Sequence, residues 1–163
     1  MTTTLLAAPA GRASIPASAV RLVVAARRAL GEAEQAHDAA ERYAEAHLSA
    51  LRAAAAVLAA DARPEADRPV RRGRPTSVWA LLIRVAPELA EWAEFFAAGA
   101  DKRTAAQSGM RGAVTVREAD DLVRDAGVFL DLVAARLGLP PFRQTMLPID
   151  VASVYPARSG ASQ

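Results

Sequence analysis

The chain has 163 residues, enough for one domain with a buried core, and it contains no cysteine, which excludes disulfides, cysteine zinc ligands and cysteine nucleophiles. Hydrophobic residues make up 52% but aromatic residues only 5%, which indicates closely packed, alanine-rich helices rather than a sheet. The formal net charge of +2 does not by itself indicate nucleic-acid binding, and no apolar run approaches the ~20 residues of a membrane span. We therefore expect a cytoplasmic, all-α protein without a membrane segment.

Two helices are predicted in the first part of the chain. Ser14 or Ser18 can cap a first helix at about residues 17–36. Asp38 and Glu41 have the spacing of a reciprocal cap, in which each side chain reaches a free backbone N–H group. This pair predicts a second helix that stops at the proline-rich stretch following it.

Residues 63–77 form a predicted linker, because three prolines, one glycine and five arginines in this stretch do not support a helix. The linker contains Arg-Gly-Arg-Pro, which resembles the core of an AT-hook that binds the minor groove. Arg71, Arg72 and Arg74 are therefore candidate nucleic-acid contacts. The alternative is a solvated connector, because acidic residues in the same stretch dilute its charge.

Further helices are predicted after the linker. Ser77 or its neighbour Thr76 opens a helical region in which Pro87 interrupts the apolar pattern, and the shared apolar face favours a kinked helix over two separate ones. Thr115 and Glu118 have the spacing of a capping box for a last helix. That helix is expected to end at Gly138.

These elements predict one domain, a four- to five-helix up-and-down bundle over residues 17–138. We interpret residues 1–16 as a disordered leader, since they lack the basic lead of a secretory signal. Residues 139–163 are expected to form an extended tail, with docking contacts from Phe142, Met146 and Tyr155.

The second helix carries the grouped reactive side chains Arg42, Tyr43 and His47. At about 100° per residue, His47 lies within an apolar stripe that includes Tyr43, and Arg42 lies about 140° away, at the border of that stripe. One copy of the helix therefore cannot direct Arg42 and His47 at a single phosphate. Two copies packed side by side could do so.

The string Tyr43-Ala-Glu-Ala-His47, followed by LSALRAA, resembles the YAxxH-type helix of HEPN proteins. The stretches SVWALLIRVAPELAEWAEFFAAGADKR and VTVREADDLVRDAGVFLDLV are similar to a small actinobacterial branch of that family. The resemblance covers about residues 18–138. HEPN proteins are small helical bundles, many of them ribonuclease toxins or nucleotide-binding partners.

The resemblance implies a possible catalytic pair, because Arg42, four residues and His47 fit the HEPN signature of an arginine followed by a histidine. His47 would act as general acid or base, Arg42 would hold the scissile phosphate, and Tyr43 would contact the substrate. The expected activity is a metal-independent endoribonuclease of a toxin–antitoxin or defence type. The expected partners are a second copy of the chain, RNA or a nucleotide, and an antitoxin-like protein, with no cofactor and no metal.

Two other interpretations stay open. His47 can be a core or interface histidine bonded to a backbone carbonyl or a side chain of a facing helix, with Arg42 on the surface, in an inactive interaction module. Alternatively, the protein associates with DNA through its arginine-rich linker. The acidic side chains of the last helix alternate with arginines at helical spacing, which indicates surface ion pairs.

Overall fold

The computed structural model describes residues 14–62 and 77–142, and every regular element in these ranges is a helix. The helices are α1 (Ala17–Gln35), α2 (Ala39–Asp61), α3 (Val78–Val85), α4 (Ala90–Ala98), α5 (Ala100–Gln107) and α6 (Val116–Arg136), with a 3₁₀ turn at Pro87–Leu89. The predicted all-α bundle is confirmed. None of these helices has the length and apolar character needed to cross a membrane.

Several sequence predictions fall outside the described residues. They are the leader up to residue 13, linker residues 63–76 with Arg71, Arg72 and Arg74, and tail residues 143–163 with Met146 and Tyr155.

Helix α2 is the centre of the bundle and contacts α1, α3, α5 and α6. Its buried positions are mostly alanines, including Ala46, Ala50 and Ala54, none of which is exposed to solvent. Small side chains allow neighbouring helices to approach closely, so one helix can be surrounded on several sides. The large core side chains come from the surrounding helices, where Phe96 of α4 and Phe129 of α6 are fully buried.

Local capping signals fix the bounds of α2 and α6. The Asp38 carboxylate accepts a hydrogen bond from the Glu41 N–H at 2.9 Å. Thr115 and Glu118 form the predicted capping box in full. Gly138 follows α6 with φ 69°, and the bonds Leu139 N–H to Ala134 O and Gly138 N–H to Ala135 O complete a Schellman motif.

Two local predictions are wrong. No serine side chain caps α1, because Pro16 occupies the N-cap and its carbonyl accepts the N–H groups of Ala19 and Val20. The helix at Pro87 is broken rather than kinked, since Ala86 leaves the helical region at φ −134° and ψ 72° before the proline. A residue that precedes proline is forced towards extended conformations, which explains the break.

Candidate functional site

His47 is enclosed in the core and is 1% exposed. Its Nε2 lies 2.9 Å from the carbonyl oxygen of Phe96 on α4, and because a carbonyl only accepts, Nε2 carries the proton. The ring meets those of Trp79 and Phe96 edge-on, with centroid distances of 5.8 Å and 6.0 Å. Nδ1 is buried and has no hydrogen-bond partner in the part of the chain that the structure describes. The imidazole therefore links α2 to α4 and has no open side.

Burial lowers the pKa of His47 below its ordinary value of 6.5. The hydrogen bond to the Phe96 carbonyl favours the charged ring and opposes this shift, whereas the positive charge of Arg103 adds to it. The imidazole is consequently neutral at pH 7. A neutral ring suits both a general base and a packed core histidine, so the pKa does not choose between them.

Arg42 extends away from His47, to the junction of α1 and α2. Its Nε and Nη2 donate to the carbonyl of Ala36, the C-cap of α1, at 3.1 Å and 2.9 Å. Nη1 forms an ion pair with Asp120 of α6. The guanidinium thus satisfies a free carbonyl at a helix C-terminus, where positive charge is favoured. Arg42 joins three helices and is not the free surface arginine of the interaction-module interpretation.

The structure therefore separates the predicted pair within one subunit, as the 140° angle on the helix implies. His47 is directed towards Phe96 on α4, and Arg42 is directed towards Ala36 and Asp120. Their catalytic roles stay predictions. The bond from His47 to a backbone carbonyl of a facing helix is the arrangement described by the alternative interpretation.

Tyr43 lies between His47 and a surface cavity. Its ring is 6% exposed, and its hydroxyl oxygen lies 2.9 Å from the position that a Cβ at Gly99 would occupy. Gly99 is thus a point of close approach between α2 and the junction of α4 and α5. Burial raises the pKa of Tyr43, with the positive charge of Lys102 opposing and the negative charge of Glu118 adding to that shift.

This cavity of about 320 Å³ is open to solvent and carries both signs of charge. Its lining residues are Tyr43, Phe95, Lys102, Glu118, Asp121, Leu122, Arg124 and Asp125. Lys102 pairs with Glu118, and Arg124 pairs with Asp121 at 2.9 Å. The hydrogen bonds of Lys102 and Thr115 lower the pKa of Glu118 to about 2. Both cations of the lining are occupied by carboxylates, so a phosphate would have to displace those pairs.

A second cavity, of about 630 Å³, lies at the start of α2. Its lining includes the carboxylates of Asp38, Glu41 and Glu45 and one cation, Arg111. This excess of acidic groups also disfavours a phosphate ligand. No group of three or more metal-ligating side chains occurs in residues 14–62 and 77–142.

The ion pairs expected on the last helix are confirmed for Arg117 and Arg124, which both contact Asp121. The partners Phe96, Gly99 and Asp120 were not identified from the sequence. They lie more than 45 positions along the chain from the α2 residues that they contact, so no local pattern connects them. Gly99 alone carries a signal, because an isolated glycine in a helical pattern can mark a close approach.

The family comparison covers the central part of this fold. A family model described as SAV_6107-like HEPN matches residues 33–134, well over half of the chain, from the end of α1 to the last turn of α6. Searches of the curated proteins and of the solved structures returned no match. The matched region includes Arg42, Tyr43 and His47. The chain therefore belongs to the SAV_6107-like HEPN family, in agreement with the resemblance found in its sequence.

Proposed function

We propose that this HEPN domain is a protein-interaction module in which Arg42 and His47 stabilise the bundle and cleave no RNA. The observation that carries the proposal is the 1% exposure of His47, with its Nε2 already donating to the Phe96 carbonyl. A general acid or base must come within about 3 Å of the proton that it transfers. The aromatic rings around His47 leave no room for a ribose hydroxyl.

The environment of Arg42 supports the same conclusion. An arginine that binds a phosphate needs free N–H donors, whereas Arg42 directs Nε and Nη2 to Ala36 and Nη1 to Asp120. Releasing it would leave the C-terminal carbonyl of α1 without this donor. Substrate binding would therefore act against the packing of the helices.

A surface suited to protein contact lies on α4 and α6. We define the α4–α6 apolar surface as Phe95, Val128 and Leu132, which are 47%, 43% and 43% exposed. Phe95 and Asp125 line the same cavity, and Val128 and Leu132 follow Asp125 by three and seven residues, on the same side of α6. Exposed apolar groups gathered in one place commonly mark interaction sites.

Co-purification tests this proposal, because a substitution on the α4–α6 apolar surface should remove a bound partner and a substitution elsewhere on α6 should not. Tagged wild-type protein is recovered from extracts of its source organism and compared with Leu132→Asp and with a matched control, Val116→Asp, which alters a 62% exposed valine on the same helix. We expect Leu132→Asp to lose a partner that the wild type and Val116→Asp retain. Identical partner sets for three folded proteins would contradict the proposal.

A metal-independent endoribonuclease of toxin type is the second candidate. The Arg42–His47 spacing and the HEPN family match favour it, and the neutral imidazole is compatible with it. It requires α4 to move away from His47 and a second copy to supply Arg42. Purified protein is incubated with bulk RNA and chelator, alongside a folded His47→Gln variant. Cleavage by the wild type that the variant lacks would establish this candidate and exclude the inactive module.

DNA association through Arg71, Arg72 and Arg74 is a further proposal from the sequence. It predicts DNA affinity that falls steeply with added salt and falls again when these arginines become alanine. Salt-independent or undetectable binding would remove it.

A further inference from the structure

We infer that the α4–α6 apolar surface, together with the cavity beside Tyr43, binds a short amphipathic helix of a partner protein that carries arginine or lysine next to its apolar stripe. The inference rests on the proposed interaction function and adds the chemical class of the partner. Two observations on the same groove support it. One is the exposed apolar stripe, and the other is the excess of carboxylates over cations in the cavity that the stripe joins.

The groove lies between α4 and α6, which run antiparallel. Glu88, just before α4, pairs with Arg136 at the end of α6. Lys102, beyond the end of α4, pairs with Glu118 at the start of α6. From one ion pair to the other, α6 rises about 27 Å, at ~1.5 Å per residue. The groove is therefore long enough for a partner helix of up to about five turns.

One stripe of α6 faces this groove. Asp121, Asp125, Val128 and Leu132 recur at spacings of four, three and four residues, which places them on one side of the helix. Phe95 of α4 lines the cavity together with the two aspartates. The cavity end of the groove is thus acidic, and the other end is apolar. A helix that binds along it needs a basic residue at one end, followed by apolar residues over about two further turns.

The charges along the groove favour a cationic partner. Glu91 precedes Phe95 by four residues, on the same side of α4, and Glu94 is its neighbour. Both glutamates are exposed, and neither forms an ion pair with another described residue. The cations of the cavity, Lys102 and Arg124, are each already paired with a carboxylate. Carboxylates beside an aromatic ring suit a guanidinium or an ammonium group, because both bind carboxylates and aromatic faces.

The same charges act against other occupants. A second copy bound symmetrically would bring two identical acidic surfaces together, with Glu91 and Asp125 on each side. RNA, DNA and anionic lipid would be repelled in the same way. The whole chain carries a formal net charge of +2, so its overall charge does not attract basic partners. A preference for a basic helix must therefore come from this groove.

Three synthetic helical peptides test the inference. They share a stripe of leucines spaced three and four residues apart, and they carry arginine, glutamine or glutamate at the flanking positions. Binding to the purified full chain is measured by the fluorescence anisotropy of a dye on each peptide. We expect the arginine peptide to bind about tenfold more tightly than the glutamine peptide, and the glutamate peptide to bind most weakly.

Two charge reversals locate the binding site. Glu91→Lys changes the groove, and Glu34→Lys makes the same change at an exposed glutamate of α1, which also lacks an ion pair among the residues that the structure describes. We expect Glu91→Lys to weaken binding of the arginine peptide about fivefold, the upper range for one exposed ion pair, and to leave the glutamine peptide unaffected. Glu34→Lys should leave both affinities unchanged. Leu132→Gln should weaken both peptides, because each uses the apolar surface.

Three results would overturn the inference. Equal affinity for the arginine and glutamine peptides would show that the groove does not favour a basic helix. Equal losses in Glu91→Lys and Glu34→Lys would show a general charge effect, and unchanged binding to Leu132→Gln would place the peptide elsewhere. The partner-capture experiment is decided separately. If Leu132→Asp loses a captured partner while the peptides show no preference for arginine, the interaction module stands and its basic partner is rejected.

Discussion

Gly99→Ala provides a direct test of how α2 packs against the α4–α5 junction. Gly99 has φ −80°, which alanine adopts without strain, so the backbone does not oppose the change. The new Cβ would lie 2.9 Å from the Tyr43 hydroxyl oxygen and 3.5 Å from Cδ2 of His47. The first contact is closer than van der Waals packing allows, and the rigid, buried Tyr43 ring cannot move alone. Overpacking of this kind costs about 1–3 kcal/mol.

A second glycine, Gly31, provides the control that separates the overpacking cost at Gly99 from the general effect of replacing glycine by alanine. Replacing glycine by alanine in a compatible conformation stabilises a protein by about 0.4–1 kcal/mol, through the unfolded chain. Among the described residues, no atom outside the two chain neighbours and the surrounding backbone of its own helix lies within 4 Å of a Cβ added at Gly31 in α1. Gly31→Ala should therefore show this gain alone. We expect Gly99→Ala to lower the free energy of unfolding by up to about 2.6 kcal/mol after the same gain is included. The difference between the two variants then measures the contact with Tyr43.

Urea denaturation followed by circular dichroism provides the measurement, repeated in a Tyr43→Phe background. That background lacks the hydroxyl oxygen, so Gly99→Ala should become neutral or stabilising there. An equal loss in both backgrounds would refute the packing derived for Gly99, since the cost would then arise elsewhere. Concordant m-values would show that the unfolded state is unchanged.

Three further expectations concern single side chains. Because burial lowers the pKa of His47, the unfolded chain binds more protons than the folded chain once the pH drops below ~6.5. Stability should therefore fall as the pH drops below that value, and His47→Gln should flatten that fall in pH-dependent denaturation. Thr115→Ala should lower the free energy of unfolding by about 1 kcal/mol, because α6 loses its N-cap. As a control, Thr104→Ala within α5 should change that free energy by less than about 0.5 kcal/mol. Arg42→Ala should lower the free energy of unfolding by about 1.5–3 kcal/mol, because the charge-assisted hydrogen bonds of Arg42 are lost. In the double variant with His47→Gln, the two losses should add. A strongly non-additive loss would contradict separate structural roles.

The fold was predictable where the determining contacts are local. Thr115 and Glu118 lie three residues apart, and their capping box was predicted because it needs no other part of the chain. The start of α1 near residue 17 was predicted, but its cap was not. Pro16 occupies the N-cap, and its carbonyl, rather than a serine side chain, accepts the first helical N–H groups. At Pro87, a shared apolar face indicated continuity, yet the steric restriction on Ala86 prevailed.

The sequence predicts that the side chains of Arg42 and His47 point in different directions from α2. It does not predict which residues they contact. The 3.6-residue period of the helix alone places the side chains of Arg42 and His47 at different angles about the helix axis, and in the structure they also face different neighbours. The same period does not reveal what each side chain meets, since Phe96 and Asp120 are distant in sequence. The cavity beside Tyr43 likewise forms from α2, α4, α5 and α6 and corresponds to no sequence motif.

The spacing of Arg42 and His47 therefore has a structural meaning that is independent of catalysis. Five residues on a helix turn a side chain by about 140°, so the two side chains face different neighbours of the central helix. One bonds the end of α1 and Asp120 of α6, and the other bonds α4. Polar contacts on more than one side help to fix the position of this central helix, because its alanines provide little shape by themselves. The same arginine and histidine that suggest a nuclease in sequence can thus orient α2 within the bundle.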